Sequence, residues 1–516
     1  MVKGAELLRD LRAAGVELWS DGGMLRYRAP KGVLTTERLE QIRKSKPEIV
    51  AALTSAMRRQ AAVEPTLERT GEEDDIPLSF LQERYFAEYP RLSTPALHHL
   101  SCAISLRGHL NLPALKRATR ELLIRHSVLR TRFARVRGDV RASVDPSVQE
   151  DIGVLDLTHV NPSEREVRAR DHYLRALEDP FRLEDGRPMR IGVVKCDADE
   201  YVLSLVLHHI VSDEWSLRLL LRELVMRYDA VVDGKTAPLP PLPIRYCDFA
   251  RWERRVERDL GGVLLEHWRA RFDGLAGDPF SLPADRDPVR DLPDRAQRLF
   301  AGTVSHDTVE GLKALARSTR STVFCVVTAV VCGLLKRWSG RDDGLVVVVR
   351  DGRDRRELHD LIGCFVTNWA LRMPLGGCES FEDLVRRVWR RYCEDAPFMQ
   401  LPYSRIERLL AADNNPSPPR IVLNYWAGDG PSSPLRVDVA TSPVFRSARL
   451  LDWTPALPWT DERNVRFYPT FVQQAHSLGW HIRSAARVFS DSTIAGMSQE
   501  LHDLLETVAR NPHTAL

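Results

Sequence analysis

The segment Tyr201–Tyr228, YVLSLVLHHIVSDEWSLRLLLRELVMRY, leaves this chain few ways to fold. Tyr201 to Leu207 form a nearly unbroken apolar run, and a run of that kind reads as a strand buried on both faces. It ends at His208 and His209. After a short turn, Leu217, Leu220, Leu221, Leu224, Val225 and Tyr228 recur at three- and four-residue spacing, so a helix follows. Ser212 and Asp213 are good N-cap residues for it, and Glu214 falls in its first turn. The pattern thus holds two imidazoles at the end of a rigid strand, beside a helix N-terminus. That setting suits proton transfer and the stabilisation of developing negative charge.

A His-His pair at a strand end is more often a pair of satisfied polar residues than a catalytic one. The chain carries its own control in His98-His99, beside the apolar segment Leu100–Leu106. There the residue four places on is Ala103 and no capped helix follows, so that pair is assigned to structure. His208-His209 differs because Asp213 and Ser216 follow at fixed offsets.

Composition excludes several classes. A net charge of +3 over 516 residues argues against a nucleic-acid partner. The eight cysteines occur without a C-x-x-C pair, so no disulfide framework and no metal site is expected. Cys196, Cys247, Cys325, Cys332 and Cys364 sit in or beside apolar segments and read as reduced core residues. No segment has the length to span a bilayer and no apolar leader opens the chain, which leads to the expectation of a cytoplasmic enzyme.

Residues 1–58 read as a separate unit. Leu7, Leu8 and Leu11 give a short helix. Asp21-Gly22-Gly23 between two short apolar runs is a hairpin signal, and two further helices carry Leu39 with Ile42 and Ile49 with Val50 and Leu53. Arg26, Arg28, Lys31, Arg43, Lys44 and Lys46 make the hairpin and the following helix basic. Residues 59–75 read as a linker that turns acidic at Glu72–Asp75. Beyond it come a helix over 112–126, a stiff Pro238–Pro243 crossing, a buried helix over 321–335, a buried strand over 345–349 and a last helix over 492–509.

The motifs carry a resemblance. HHIVSDEWS (208–216) is similar to the HHxxxDGxS motif of condensation domains of nonribosomal peptide synthetases, in the chloramphenicol-acetyltransferase-like superfamily. LSFLQERYFAEY (78–89), RHSVLRTRF (125–133), YCDFARW (246–252) and GRDRRELHDLIGCFVTNWALR (352–372) resemble further core motifs in the family's order. PYSRIERLL and IVLNYW are weaker counterparts of the last two. The likeness covers roughly residues 76–510. AELLRDLRAAGVELW, GGMLRYRAPKGVLT and KPEIVAAL resemble the TubC-type β-hairpin docking domain.

The resemblance implies an α/β (α+β) fold: a V-shaped pair of acetyltransferase-like lobes, 76–245 and 246–516, preceded by a small αββαα docking domain. It implies that His209 is the catalytic imidazole, with His208 in a positioning role and Asp213 paired to Arg353. Ser216, Glu214 and Asn368 are candidate supporting residues around them. The acyl donor is expected on the phosphopantetheine of a carrier protein, with no permanently bound cofactor and no metal. The acceptor is an amine or a hydroxyl. The docking unit is expected to take an acidic C-terminal tail from an upstream synthase as an added strand.

Three departures stand out. Glu214 replaces the usual Gly after the Asp, Thr367-Asn368 reverses the usual Asn-Thr order, and the sixth motif lacks its His-Gln. Aspartates do not replace the histidines, which disfavours heterocyclisation. The expectation is a free-standing condensation enzyme that releases a chain as an ester or amide, as in enacyloxin-type assembly lines. The alternatives are an N-terminal piece of a larger synthetase making ordinary peptide bonds, a catalytically silent recruitment module, and an acyl-coenzyme A transferase.

Overall fold

The computed structural model describes residues 17–21, 24–28, 42, 65–71, 75–92, 94–275, 282, 297–412, 421–427, 440–453, 467–485 and 489–516. The chain divides into two compact units, and the larger comprises Leu67–Arg254 and Gly262–Leu516.

In the smaller unit β1 (Glu17–Asp21) pairs antiparallel with β2 (Met24–Arg28), Asp21 opposite Met24. This is the hairpin that Asp-Gly-Gly calls for. Arg26 and Arg28 lie on β2. The flanking helices and Lys31, Arg43, Lys44 and Lys46 lie outside the described residues.

The larger unit opens with β3 (Ile76–Pro77), α1 (Phe80–Glu88), β4 (His99–Arg107), α2 (Leu112–Arg125), β5 (Thr131–Val136), β6 (Asp139–Val144) and β7 (Ile152–Asp156). It continues with α3 (Pro162–Glu178), β8 (Met189–Lys195), β9 (Glu200–His208), α4 (Glu214–Val232) and α5 (Tyr246–Phe272), of which Arg255–Gly261 group with the smaller unit. A five-stranded sheet is centred here, with β9 antiparallel between β4 and β8. Tyr201 to His208 are all buried, as the apolar run requires. Ser79 and Gln82 close a capping box on α1, and Asn111 caps α2 through the Ala114 N–H. Helix α2 packs on α4, with Leu115, Leu122, Leu220 and Leu224 fully buried between them and the sheet. Burial of such a side chain stabilises by roughly 1.5–3 kcal/mol.

The later chain supplies β10 (Gln297–Val304), α6 (His306–Ser318), α7 (Val323–Ser339), β11 (Asp343–Arg350), β12 (Thr367–Pro374), α8 (Phe381–Asp395) and α9 (Tyr403–Ala412). After these come β13 (Val422–Trp426), α10 (Pro443–Arg446), β14 (Arg449–Leu451), β15 (Phe467–Gln473), β16 (Leu478–Ala485) and α11 (Asp491–Arg510). Six of these strands form a second sheet in the order β10-β16-β15-β13-β11-β12. Parallel pairs β11·β13 and β13·β15 sit among antiparallel ones, which makes the class mixed α/β. Helix α7 is capped by Thr322, is buried from Cys325 to Leu335, and stops at Gly340, whose φ of 67° suits a residue without Cβ.

One strand crosses between the sheets' segments. β14 leaves the later half of the chain and pairs antiparallel with β4, so the first sheet runs β14-β4-β9-β8-β7. Arg449-Leu450-Leu451 is too short to mark itself by alternation; the pairing comes from tertiary contact. No single helix among the described residues is long and apolar enough to cross a membrane.

Candidate active site

The last bond of the β4·β9 ladder region fixes the site, since the His209 N–H donates to the His98 carbonyl at 2.7 Å. His99 lies directly opposite His208. Both histidine doublets therefore converge on one place, which no local pattern in the sequence reveals.

His208 is fully buried, and its Nδ1 accepts from the Ile210 N–H at 2.9 Å. That bond leaves the ring proton on Nε2. Burial first, then the neighbouring His99, His98 and His209, hold its pKa well below the ordinary 6.5. His99 donates from Nδ1 to the Leu177 carbonyl at 2.7 Å and takes the Tyr89 hydroxyl on Nε2 at 3.0 Å. Burial pushes its pKa down to about 4, and that of His98 to about 3.

His209 is only half-buried. Its ring stacks on Tyr85 of α1, centroids 4.7 Å apart and planes 15° from parallel, and its Nδ1 lies 3.6 Å from the Cys364 Sγ. Burial lowers its pKa. The Asp213 carboxylate and the backbone carbonyls of His209 and Ser212 oppose that shift, and Arg84 adds to it. The outcome is a neutral imidazole at neutral pH, able to accept a proton.

Asp213 is the extended N-cap of α4, φ −129° and ψ −179°, and its Oδ1 accepts the Ser216 N–H at 2.8 Å. Its Oδ2 accepts the Phe365 N–H at 3.0 Å. The structure brings Arg353 onto it, with Nη2 at 3.1 Å and 3.3 Å from the two oxygens, both side chains 1% exposed. Arg353 also donates to the Leu358 and Leu361 carbonyls and stacks 4.3 Å from the Phe365 ring centroid. Both Asp213 oxygens and both terminal nitrogens of Arg353 are hydrogen-bonded, which offsets desolvation of the pair, while either partner alone would be a buried uncompensated charge. Both carboxylate oxygens are thus engaged by the scaffold.

Ser216 is part of the same clamp. Its hydroxyl donates to the Gly363 carbonyl at 2.7 Å and accepts the Gly363 N–H at 3.0 Å and Arg353 Nη2 at 2.8 Å. A Cβ at Gly363 would lie 1.9 Å from the Tyr246 ring, and one at Gly352 (φ 65°) 1.9 Å from the Phe365 carbonyl oxygen. Only glycine fits this crossing.

Glu214 is the first residue of α4 and half-buried. Burial pushes its carboxyl up to about 7, with Asp213 adding and Arg218 opposing. Asn368 sits on β12 opposite Val349, and none of the hydrogen bonds described for the site uses it. Trp215 is 42% exposed and donates to the His359 carbonyl at 3.0 Å.

Two contributors escape a sequence reading. Tyr85 lies inside an amphipathic helix and looks like any core aromatic. Cys364 reads as a reduced core thiol, which it is, yet it meets His209 edge-on. Among the described residues no three His, Cys, Asp or Glu side chains are grouped to hold a metal.

Residues 72–516 match the family model for the condensation domain, and residues 5–54 match that for the TubC N-terminal docking domain. A linear gramicidin synthase of Brevibacillus parabrevis is 32% identical over 332 residues, covering 64% of this chain and 4% of that protein. The phosphinothricin tripeptide synthetase PhsB of Streptomyces viridochromogenes is 34% identical over 375 residues, covering 71% of this chain and 31% of that protein. The chain therefore spans less than a third of the length of either relative. Among solved structures, the EpoB cyclization-docking bidomain from Sorangium cellulosum aligns with a TM-score of 0.70 at 20% identity, covering 99% of both chains. A condensation domain described for chain release from the enacyloxin polyketide synthase aligns at 0.65 and 20% identity, covering 100% of this chain and 98% of that one.

Proposed function

The chain belongs to the condensation-domain family, acyltransferases that form amide bonds, and on that premise we propose that His209 drives acyl transfer from a carrier-bound thioester to an amine or hydroxyl. The acceptor's N–H or O–H gives its proton to His209 Nε2 as its lone pair attacks the thioester carbonyl. Collapse of the tetrahedral intermediate breaks the C–S bond, and the same proton leaves with the phosphopantetheine thiol. Thioester aminolysis is downhill, so orientation supplies much of the rate, while a hydroxyl acceptor depends more on the base. No permanently bound cofactor enters this scheme.

One observation carries the reading. Of the four histidines at the strand end, His98, His99 and His208 are buried and His209 is only partly so, and burial keeps its imidazole pKa low. Asp213 and Arg353 act as a structural pair, and Ser216 with them. Glu214 is offered as a contact for an acceptor bearing a hydrogen-bond donor, the alternative being a first-turn acidic residue that only favours the helix N-terminus.

For the docking unit we propose an acidic tail from an upstream synthase, added as a strand beside the hairpin and selected by Arg26, Arg28, Lys31, Arg43, Lys44 and Lys46. The proposed division is 1–58 for docking, 59–75 as linker, and lobes 76–245 and 246–516. Chain release is supported by the likeness to the enacyloxin domain. A second reading, ordinary peptide-bond formation within a longer synthetase, is supported by the small share of each curated relative that the chain spans.

The test offers the protein an acyl-loaded carrier with amine and hydroxyl acceptors, and separately the acyl-coenzyme A, and identifies products by mass spectrometry. Product from the carrier but not from coenzyme A is expected. Turnover of the coenzyme A ester alone contradicts the proposal, as does consumption of neither donor.

A further inference from the structure

The segment Gly363-Cys364-Phe365 is held on every side, and what it presents to the site is one thiol. Ser216 brackets both backbone groups of Gly363, and the Asp213 carboxylate takes the N–H of Phe365. The Cys364 carbonyl accepts the Tyr246 hydroxyl at 2.6 Å, and Ser79 lies 2.9 Å from that same hydroxyl. Three elements thus converge on one residue, whose Sγ stands 3.6 Å from His209 Nδ1.

We propose that Cys364 is a positioning residue for His209: its sulfur accepts the Nδ1–H, which holds the imidazole in one tautomer and leaves the Nε2 lone pair for the acceptor. This deepens the reading of His209 as base and rests on it. A neutral imidazole has one N–H, and the group that takes it decides which nitrogen is basic. The backbone carbonyls of His209 and Ser212 beside the ring can only accept, in keeping with a proton on the protein side. Burial and the nearby Asp213 push the thiol far up, so sulfur stays protonated and acts neither as thiolate nor as nucleophile. The Asp213–Arg353 pair then has a route to catalysis: it fixes Phe365, and with it the thiol. Tyr85 covers the ring face while Cys364 fixes the edge.

The experiment uses the full chain with Cys364→Ala, Cys364→Ser and His209→Ala. Ring ¹⁵N shifts of labelled histidine report the His209 tautomer without substrate, and steady-state transfer from a loaded carrier gives kcat and KM. Cys364→Ala is expected to shift the tautomer signals and to lower kcat about tenfold, a part of the roughly 10²- to 10⁴-fold that a placed base contributes, with KM for the carrier unchanged. Cys364→Ser, whose hydroxyl also accepts, recovers most of both. A wild-type tautomer and kcat in Cys364→Ala overturn the proposal, and so does an acyl adduct on Cys364. Full transfer by His209→Ala instead overturns the reading of His209 as base, and the substrate-free ¹⁵N signals keep the two failures apart.

Discussion

His98-His99 and His208-His209 are alike in sequence and lie side by side in one sheet, yet their ring nitrogens are engaged differently. His99 spends both ring nitrogens on protein, on Leu177 and Tyr89, and His208 spends Nδ1 on Ile210. His209 has Nδ1 against the Cys364 thiol and is only partly buried as a residue. A doublet at a strand end is thus no signal in itself. What separates the two is the turn and capped helix after His209, together with the clamp that distant chain makes beside its ring.

The contrast breaks most severely at Asp213. Asp213→Ala is expected to lose about 3–5 kcal/mol by stranding the buried Arg353, with activity falling alongside soluble yield. The double variant with Arg353→Met should lose less than the two single losses combined, read by denaturant unfolding. Normal stability in an inactive Asp213→Ala would place the carboxylate in the chemistry.

A smaller effect is expected on the structural side. His99→Ala leaves the Leu177 carbonyl and the Tyr89 hydroxyl without their partner, a cost of about 1–3 kcal/mol. Catalysis by the fraction that stays folded is expected to remain near wild type, measured at a temperature well below the transition. A rate collapse in fully folded His99→Ala would erase the distinction between the doublets.

The effect at Glu214 is read through pH. Its folded pKa, about 7, lies above the ordinary 4.5, so folding favours the protonated form. Its contribution to stability is present at low pH and is lost as pH rises from 4.5 through about 7. Glu214→Gln removes that loss. The variant should therefore gain in melting temperature relative to wild type between pH 5 and pH 8, and an equal difference at both ends would contradict the burial of this carboxyl.

Much of this region was legible in the chain. The apolar run of β9, the 3.6-residue spacing of α4 and the Asp213 cap are local, and local patterns carry them. Arg353 was legible only through the family motif, because 140 residues separate it from its partner. The thiol at Nδ1, the β4·β9 register that brings the doublets together, and the transfer of Arg449–Leu451 to the first sheet were not. Each depends on which distant segments pack, and a core cysteine reads the same whether it meets a leucine or an imidazole.

The central claim is that one imidazole of four is the working one. Its most direct test is the single-turnover rate of acyl transfer from a loaded carrier for His209→Ala beside His98→Ala, with unfolding followed on the same samples. The account predicts a loss of roughly 10²- to 10⁴-fold for His209→Ala at unchanged stability, and a near-native rate for the folded His98→Ala. Equal rates for the two, or a loss confined to His98→Ala, would contradict it.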